Sequence, residues 1–379
     1  MKDGRGIVIA GGGTGGHVVP SLQIARALVE RGHPPESIEL FGSRRGQEAT
    51  LWPTLEFPFT LLPGRGLRRS FRPRALWTNI GAVAGLLWAV LRAVVSFAGR
   101  RPHAVVVVGG YASFAAGLAA VVTRVPLVVV HIDAVPGAAS GFLVRFAAVN
   151  AVAFPDTDLP RSKVTGTPVP PELGSLDRSA EGRREARKAL GLPADRVTVA
   201  AFGGSLGARR INEAVAQLAH QWVGRDDLSM LHVTGRRDYD AFHAARADGA
   251  RESGGTGLHY ETVAYEDRMP DLYRAADVCV CRSGAMTVAE LVVAGVPAVL
   301  VPLPGAPRDH QARNARALVA AGAAILLPDD ECNAERLGTE LTALLGDPAR
   351  LRAMSDAARG LGHADAAARV AALVDSHAR

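Results

Sequence analysis

Twice along the chain a short β-branched run ends in a cluster of glycines and passes straight into an Ala/Leu-rich stretch. The first is GIVIA at 6–10, then Gly11-Gly12-Gly13-Thr14-Gly15-Gly16-His17, then a helix signal over 20–31 that Gly32 stops. The second is VTVAAF at 197–202, then Gly203-Gly204-Ser205-Leu206-Gly207, then a helical pattern over 208–221. A strand that feeds a helix through a glycine turn opens a doubly wound unit. Further strand signals follow each opening, at 37–41, 104–108 and 126–130, and again at 228–233, 278–281 and 298–301. AVVVV and PLVVV are apolar throughout, as expected of strands covered on both faces. Alternating strands and helices imply parallel sheets with helices on both sides. The expected fold is therefore α/β, with two doubly wound Rossmann-like domains. The expected limits are 1–165 for the first domain and 195–346 for the second. The Pro-, Gly- and charge-rich segment 166–194 reads as a linker. The final stretch, 347–379, reads as a further helical segment.

The composition permits two cores. Of 379 residues, 48% are hydrophobic and 21% charged, which excludes disorder as the dominant state. Three cysteines exclude a disulfide scaffold and fall short of a structural zinc site. Cys279 and Cys281 alternate inside an apolar run and point to a reducing compartment. The opening stretch lacks the apolar core and cleavage site of a signal peptide. Charge is uneven: residues 1–163 carry 18 Lys+Arg against 9 Asp+Glu, and the remainder is mildly acidic. A basic half calls for an anionic partner, whether nucleic acid, anionic lipid or a phosphorylated substrate.

Residues 75–98 narrow that choice. The stretch is apolar apart from Thr78, Asn79, Arg92 and Ser96, with Arg65, Arg68, Arg69, Arg72 and Arg74 ahead of it and Arg100 and Arg101 behind. Its charge-free apolar run is shorter than a membrane span needs. A buried core helix is one reading. Arginines on both flanks favour a helix at the surface of an anionic membrane, with Leu76, Trp77, Ile80, Leu87 and Trp88 as its contacts. Nucleic acid fits less well, because the basic residues surround an apolar segment without interleaved aromatics.

Four segments carry chemistry. The first glycine cluster lets a ligand approach the backbone at a helix N-terminus. Gly11, Gly13 and Gly16 formally match a dinucleotide fingerprint, with Glu39 as its acid, but nothing else in the chain supports an oxidoreductase. His17 stands where doubly wound folds bind ligands, and serves either as a general base or as a loop-positioning residue. Gly109-Gly110-Tyr111-Ala112-Ser113 again follows a strand and suggests a second lining of the same site. Gly203, Gly204, Ser205 and Gly207 can present donors to a pyrophosphate. In Cys281-Arg282-Ser283-Gly284-Ala285-Met286-Thr287-Val288-Ala289-Glu290, the carboxylate one turn into a helix suits ribose hydroxyls. His310 and Gln311 open another helix and suit sugar hydroxyls.

Taken together and in order, these segments resemble the MurG family of bacterial lipid I N-acetylglucosaminyltransferases. The resemblance spans nearly the whole chain: GGGTGGH, the GGY segment, the His131 segment, GTPV at 166–169, GGS-x-GAR, and CRSGAMTVAE followed by HQARNA. It implies the GT-B fold, two Rossmann-like domains facing across a cleft, with the final helical segment, 347–379, packing back on the first domain. It implies inverting transfer of GlcNAc from UDP-GlcNAc to the C4 hydroxyl of MurNAc in undecaprenyl-linked lipid I. The product is lipid II, made for the bacterial cell wall at the cytoplasmic face of the membrane. The resemblance implies no metal and no cofactor beyond the sugar nucleotide. The donor site would be Gly203, Gly204, Ser205, Gly207, Glu266 through its backbone, Arg282, Ala285, Met286, Thr287, Glu290, His310 and Gln311, joined by Thr14, Gly15 and Gly16. His17 would be the base, and Thr14, His17, Tyr111, Ser113 and His131 would meet the acceptor. Cell-wall synthesis proteins are further implied partners.

The chain departs from the family pattern at Ile132-Asp133-Ala134 after His131, at Pro170 and at Leu206. These departures motivate one alternative, a relative with the same donor and another acceptor. A UDP-GlcNAc 2-epimerase is the other; it needs no lipid surface.

Overall fold

The computed structural model describes residues 6–13, 15–63, 73–204, 207–243 and 257–379, and only the backbone of 73–80. The chain forms two compact units. Residues 1–170 with 363–379 make the first, and residues 171–362 the second.

The first unit is built on seven parallel strands: β1 (Ile7–Gly11), β2 (Ile38–Ser43), β3 (Phe59–Leu62), β4 (Ala104–Gly109), β5 (Leu127–His131), β6 (Val149–Val152) and β7 (Ser162–Val164). Their order is β3-β2-β1-β4-β5-β6-β7. Every residue of β1, β4 and β5 is buried, which is why these runs are apolar without alternation. The strand order reverses between β1 and β4, so the ligand crevice of this sheet lies outside their carboxyl ends. Ser113, 2% exposed, fixes that point. Its hydroxyl accepts from Gly109 N–H (3.0 Å) and lies 2.5 Å from the Ala10 carbonyl, tying β4 to β1.

The second unit repeats the plan with six parallel strands: β8 (Val197–Phe202), β9 (Leu228–Val233), β10 (His259–Val263), β11 (Val278–Cys281), β12 (Ala298–Leu300) and β13 (Ala324–Leu326). The order is β10-β9-β8-β11-β12-β13. The reversal falls between β8 and β11, which makes neighbours of the turns after them.

The unit limits differ from the expected ones. The segment 166–194 is not a free linker. Within it, the helix Ala180–Ala189 is capped by Ser179, and its Arg187 is buried against the second unit. Arg187 meets Asp277 at 2.7 Å and the Ala275 carbonyl at 3.2 Å, and the same Asp277 oxygen accepts from Thr198 N–H. A buried ion pair needs charged residues, so the sequence read as solvated. The final stretch 347–379 also divides. Helix Pro348–Leu361 stays with the second unit, where Ser355 bonds the Gly295 carbonyl. Helix Ala366–His377 packs on helix Gly15–Glu30 of the first unit, with Asp375 2.5 Å from Arg31 and 2.8 Å from His33.

Helix Pro73–Arg100 is 28 residues long and two-faced. Ala82, Ala89, Ala93 and Phe97 are buried, and the helix packs on helix Tyr111–Thr123. Val83, Leu87, Leu91 and Val95, at helical spacing, are exposed together with Trp88.

Candidate active site

In the first unit, a cavity of about 180 Å³ opens at the carboxyl ends of β4 and β5. His17, Gly109, Gly110, His131, Asp133 and the start of helix Ala138–Leu143 line it. The helix after β1 starts at Gly15, earlier than the sequence suggested, so His17 sits in its first turn with Gly15 and Gly16. The His17 ring lies against the end of β4. A Cβ at Gly109 would come within 2.4 Å of His17 Cδ2 and 2.5 Å of Nε2, and Gly109 also has φ +146°, so that position requires glycine. His17 Nδ1 is buried without a hydrogen-bond partner. Burial lowers its pKa from the usual value. Asp133, a backbone contact at Gly12 and Glu48 pull weakly the other way. The ring is therefore a neutral imidazole near pH 7, the form a base needs.

Glu48 is a residue the sequence reading missed. Fully buried, its carboxylate accepts from Gly13 N–H at 3.0 and 2.9 Å and from Ser43 N–H at 2.8 Å. It holds the glycine loop that precedes His17. Nothing in RRGQEA distinguishes it from a solvated loop acid.

Of the other first-unit candidates, His131 lines the cavity, while Tyr111 and Ser113 stand in the segment that follows its Gly109-Gly110 wall. Tyr111 opens its helix, and its hydroxyl is buried without a partner; burial raises its pKa. Ser113 shapes the Gly109 turn and has its hydroxyl occupied there. His131 ends β5, buried, with Nε2 3.0 Å from Asn150 Oδ1, and desolvation lowers its pKa. Thr14 lies outside the described residues.

In the second unit, the turn after β8 carries Gly203, Gly204 and Gly207, while Ser205 and Leu206 lie outside the described residues. Gly207 has φ +74°, and a Cβ there would sit 2.3 Å from the Thr234 carbonyl oxygen. Gly207→Ala is expected to destabilise the protein by about 1–3 kcal/mol through strain at that φ. Chemical denaturation checks the effect.

The turn after β11 leads into helix Ala285–Ala294, whose first turn holds Ala285, Met286 and Thr287. Glu290 follows in the next turn. The Tyr273 hydroxyl donates to Glu290 Oε2 at 2.8 Å, and burial raises the carboxyl pKa from 4.5 to about 7. Arg282 is engaged by the protein itself. Its Nη1 reaches Asp329 at 2.5 Å and the Val301 and Pro302 carbonyls at 3.1 Å. It braces the ends of β11 and β12. Gln311 accepts from Leu303 N–H at 2.9 Å, and His310 Nδ1 is 2.9 Å from the Pro307 carbonyl. Both shape the 302–309 loop, where Arg308 and Asp309 hold φ of 55° in succession, a strained pair for non-glycine residues. The Glu266 carboxylate accepts from Arg268 N–H at 2.8 Å, beyond the end of β10. Tyr273 and Asp329, which orient Glu290 and Arg282, carried no signal in the sequence.

Residues 7–152 match the glycosyltransferase family 28 N-terminal domain, and residues 198–370 match the family 28 C-terminal domain. The two nucleotide-binding-type units thus define a two-domain glycosyltransferase of the GT-B class. A Nocardioides sp. protein named UDP-N-acetylglucosamine--N-acetylmuramyl-(pentapeptide) pyrophosphoryl-undecaprenol N-acetylglucosamine transferase is 40% identical over 369 residues, 97% of each chain. The crystal structure of Acinetobacter baumannii MurG superposes with a TM-score of 0.78 at 28% identity, covering 98% of this chain and 99% of that one. The chain belongs to the MurG family. A UDP-GlcNAc 2-epimerase from Neisseria meningitidis, solved with UDP-GlcNAc bound, has a TM-score of 0.66 over 98% of this chain and 99% of its own. At 13% identity that likeness is one of fold alone.

Proposed function

We propose that the protein transfers GlcNAc from UDP-GlcNAc to the C4 hydroxyl of MurNAc in lipid I, with inversion, to give lipid II for peptidoglycan. The observation that carries this reading is the likeness to curated transferases of that name along 97% of the chain. The two sites add chemical support. The first unit offers a neutral imidazole, His17, to take the hydroxyl proton as the sugar C1 is attacked. The glycine turn after β8 and the helix behind it offer N–H groups to the departing diphosphate. Glu290 suits the ribose. No cofactor enters this scheme; the sugar nucleotide is a substrate. The test is UDP release from UDP-GlcNAc with and without a short-chain lipid I analogue. Acceptor-dependent release with a disaccharide product supports the reading. Release of ManNAc without acceptor identifies an epimerase, and donor binding without acceptor-dependent release points to a relative with another acceptor or to a non-catalytic scaffold.

The protein works, in this reading, at the cytoplasmic face of an anionic membrane. One described helix segment, Gly81–Arg100, is long and apolar enough to cross a membrane. Its Ala89, Ala93 and Phe97 nevertheless belong to the first unit's core. A helix that fills a core on one face cannot meet lipid on all sides, so in this reading it lies on the membrane surface with its other face toward lipid. Leu87 and Trp88, 65% and 56% exposed, stand on that exposed side. The side chains of Leu76, Trp77 and Ile80 lie outside the described residues. Replacing Leu87, Trp88 and Leu91 together by serine is expected to weaken binding to anionic vesicles by about 100-fold or more, at roughly 1 kcal/mol per side chain withdrawn from lipid. Turnover of a water-soluble acceptor should be unchanged. Vesicle sedimentation against that assay checks both.

A further inference from the structure

The inference concerns the end of β5 and rests on the acceptor reading of the first-unit cavity. Asn150, on β6 and fully buried, has a side-chain orientation that chemistry fixes. Its Nδ2 lies 2.8 Å from the Pro160 carbonyl and 3.3 Å from the Val144 carbonyl. Carbonyl oxygens only accept, so the amide NH2 must face them and Oδ1 must face His131. That Oδ1, 3.0 Å from His131 Nε2, also only accepts, so Nε2 carries the ring proton. The neutral ring then has a bare lone pair on Nδ1. Nδ1 is buried and has no hydrogen-bond partner, on a residue that lines the cavity. A buried acceptor left empty is destabilising unless something fills it.

The second unit contains the same device with its acceptor filled. His232 on β9 sends Nε2 to Asn212 Oδ1 at 3.0 Å, while Asn212 Nδ2 donates to the Thr234 carbonyl at 2.8 Å. There Nδ1 lies 2.8 Å from the Tyr260 hydroxyl, which must donate to it. In the first unit no described side chain takes the place of that tyrosine.

We infer that Asn150 is a positioning residue that sets His131 to accept, through Nδ1, a hydrogen bond from a hydroxyl or amide N–H of the acceptor. His131 then reads the sugar or peptide part of the acceptor and not its pyrophosphate. Ionised phosphate oxygens have no proton to give, and a neutral imidazole in this tautomer has none to offer them through Nδ1. Burial, which lowers the His131 pKa, keeps the ring in that neutral form.

The test begins with nitrogen NMR of histidine-labelled, full-length wild-type protein. The His131 ring should show the Nε2–H tautomer. A saturating short-chain lipid I analogue should shift the Nδ1 resonance, and UDP-GlcNAc alone should not. In Asn150→Leu, with the tautomer released, the KM for the analogue should rise about 3- to 10-fold, the worth of one neutral hydrogen bond, with the donor KM unchanged. An Nδ1–H tautomer in the wild type, an Nδ1 unmoved by the analogue, or an unchanged acceptor KM in a folded Asn150→Leu overturns the inference. If that variant does not fold, having left two carbonyls unpaired, the wild-type spectra decide alone. Absence of acceptor-dependent UDP release by the wild type removes the acceptor reading and this inference with it. Turnover with an unmoved Nδ1 removes this inference alone.

Discussion

His17→Ala is expected to lower kcat about 10²- to 10⁴-fold, the usual contribution of a general base, while the KM for UDP-GlcNAc changes little. The expectation has three physical parts. The ring occupies the first turn of its helix, pressed against the end of β4, where a glycine makes room for it. Burial disfavours the imidazolium, so at neutral pH the ring is a competent proton acceptor. The loop ahead of it is anchored by Glu48, which accepts from Gly13 N–H through both carboxylate oxygens, so the loop keeps that anchor when the ring is removed. The pH profile follows with a definite sign. Turnover of the saturated enzyme needs the neutral ring, so kcat at saturating UDP-GlcNAc should fall as pH drops through a pKa lying below 6.5. The acid limb should therefore be displaced below that of an ordinary histidine, and it should vanish in His17→Ala. Near-wild-type turnover of the alanine variant with both substrates bound would mean that another group takes the proton.

What the sequence disclosed was whatever short stretches carry. Glycine turns, β-branched runs and the histidine at a helix entry are local patterns, and the eight strands read from them stand close to where periodicity put them, while the short or less apolar β3, β6, β7, β10 and β13 gave no such signal. The topology then followed from alternation, because parallel strands joined by helices have few arrangements. The groups that orient the site stayed hidden because each acts across distance in the chain. Glu48 holds Gly13 from 35 residues away, Asp329 holds Arg282 from 47, Tyr273 holds Glu290 from 17 and Asn150 holds His131 from 19. Read singly, each is an ordinary polar residue. The same cause shifted two expectations. Arg282 looked like a ligand-lining cation, yet its guanidinium is held by a carboxylate and two carbonyls. The segment 166–194 looked like a tether because a buried ion pair and a solvated charge run have the same composition.

Donor affinity should depend on pH with an apparent pKa near 7 in the free enzyme, set by Glu290. Burial lifts this carboxyl from 4.5 to about 7, and the Tyr273 hydroxyl, which favours the ionised form, opposes the shift only in part. Two ribose hydroxyls donating to the carboxylate would bind its ionised form. The Kd for UDP-GlcNAc should therefore be level above about pH 8 and weaken as pH falls, approaching tenfold per unit below 7, as one-proton linkage requires. UDP-GlcNAc is the right probe because its diphosphate carries no proton that titrates in this range, unlike free UDP. Glu290→Gln should abolish the dependence and weaken binding at pH 8 by about 10- to 100-fold, as expected for lost hydrogen bonds to a charged group. Tyr273→Phe should move the midpoint upward. Stability should change in the opposite sense. A carboxyl whose folded pKa is raised contributes most below its unfolded value, and that contribution is lost as pH rises from 4.5 through 7. Without donor at pH 8, Glu290→Gln should thus be more stable than wild type by up to roughly 3 kcal/mol. Urea unfolding and calorimetric titration on the same two proteins measure both effects. A variant that is stabilised and yet binds donor normally would place Glu290 outside the ribose site. One that binds poorly and is stabilised shows a buried charge kept for binding at the expense of the fold.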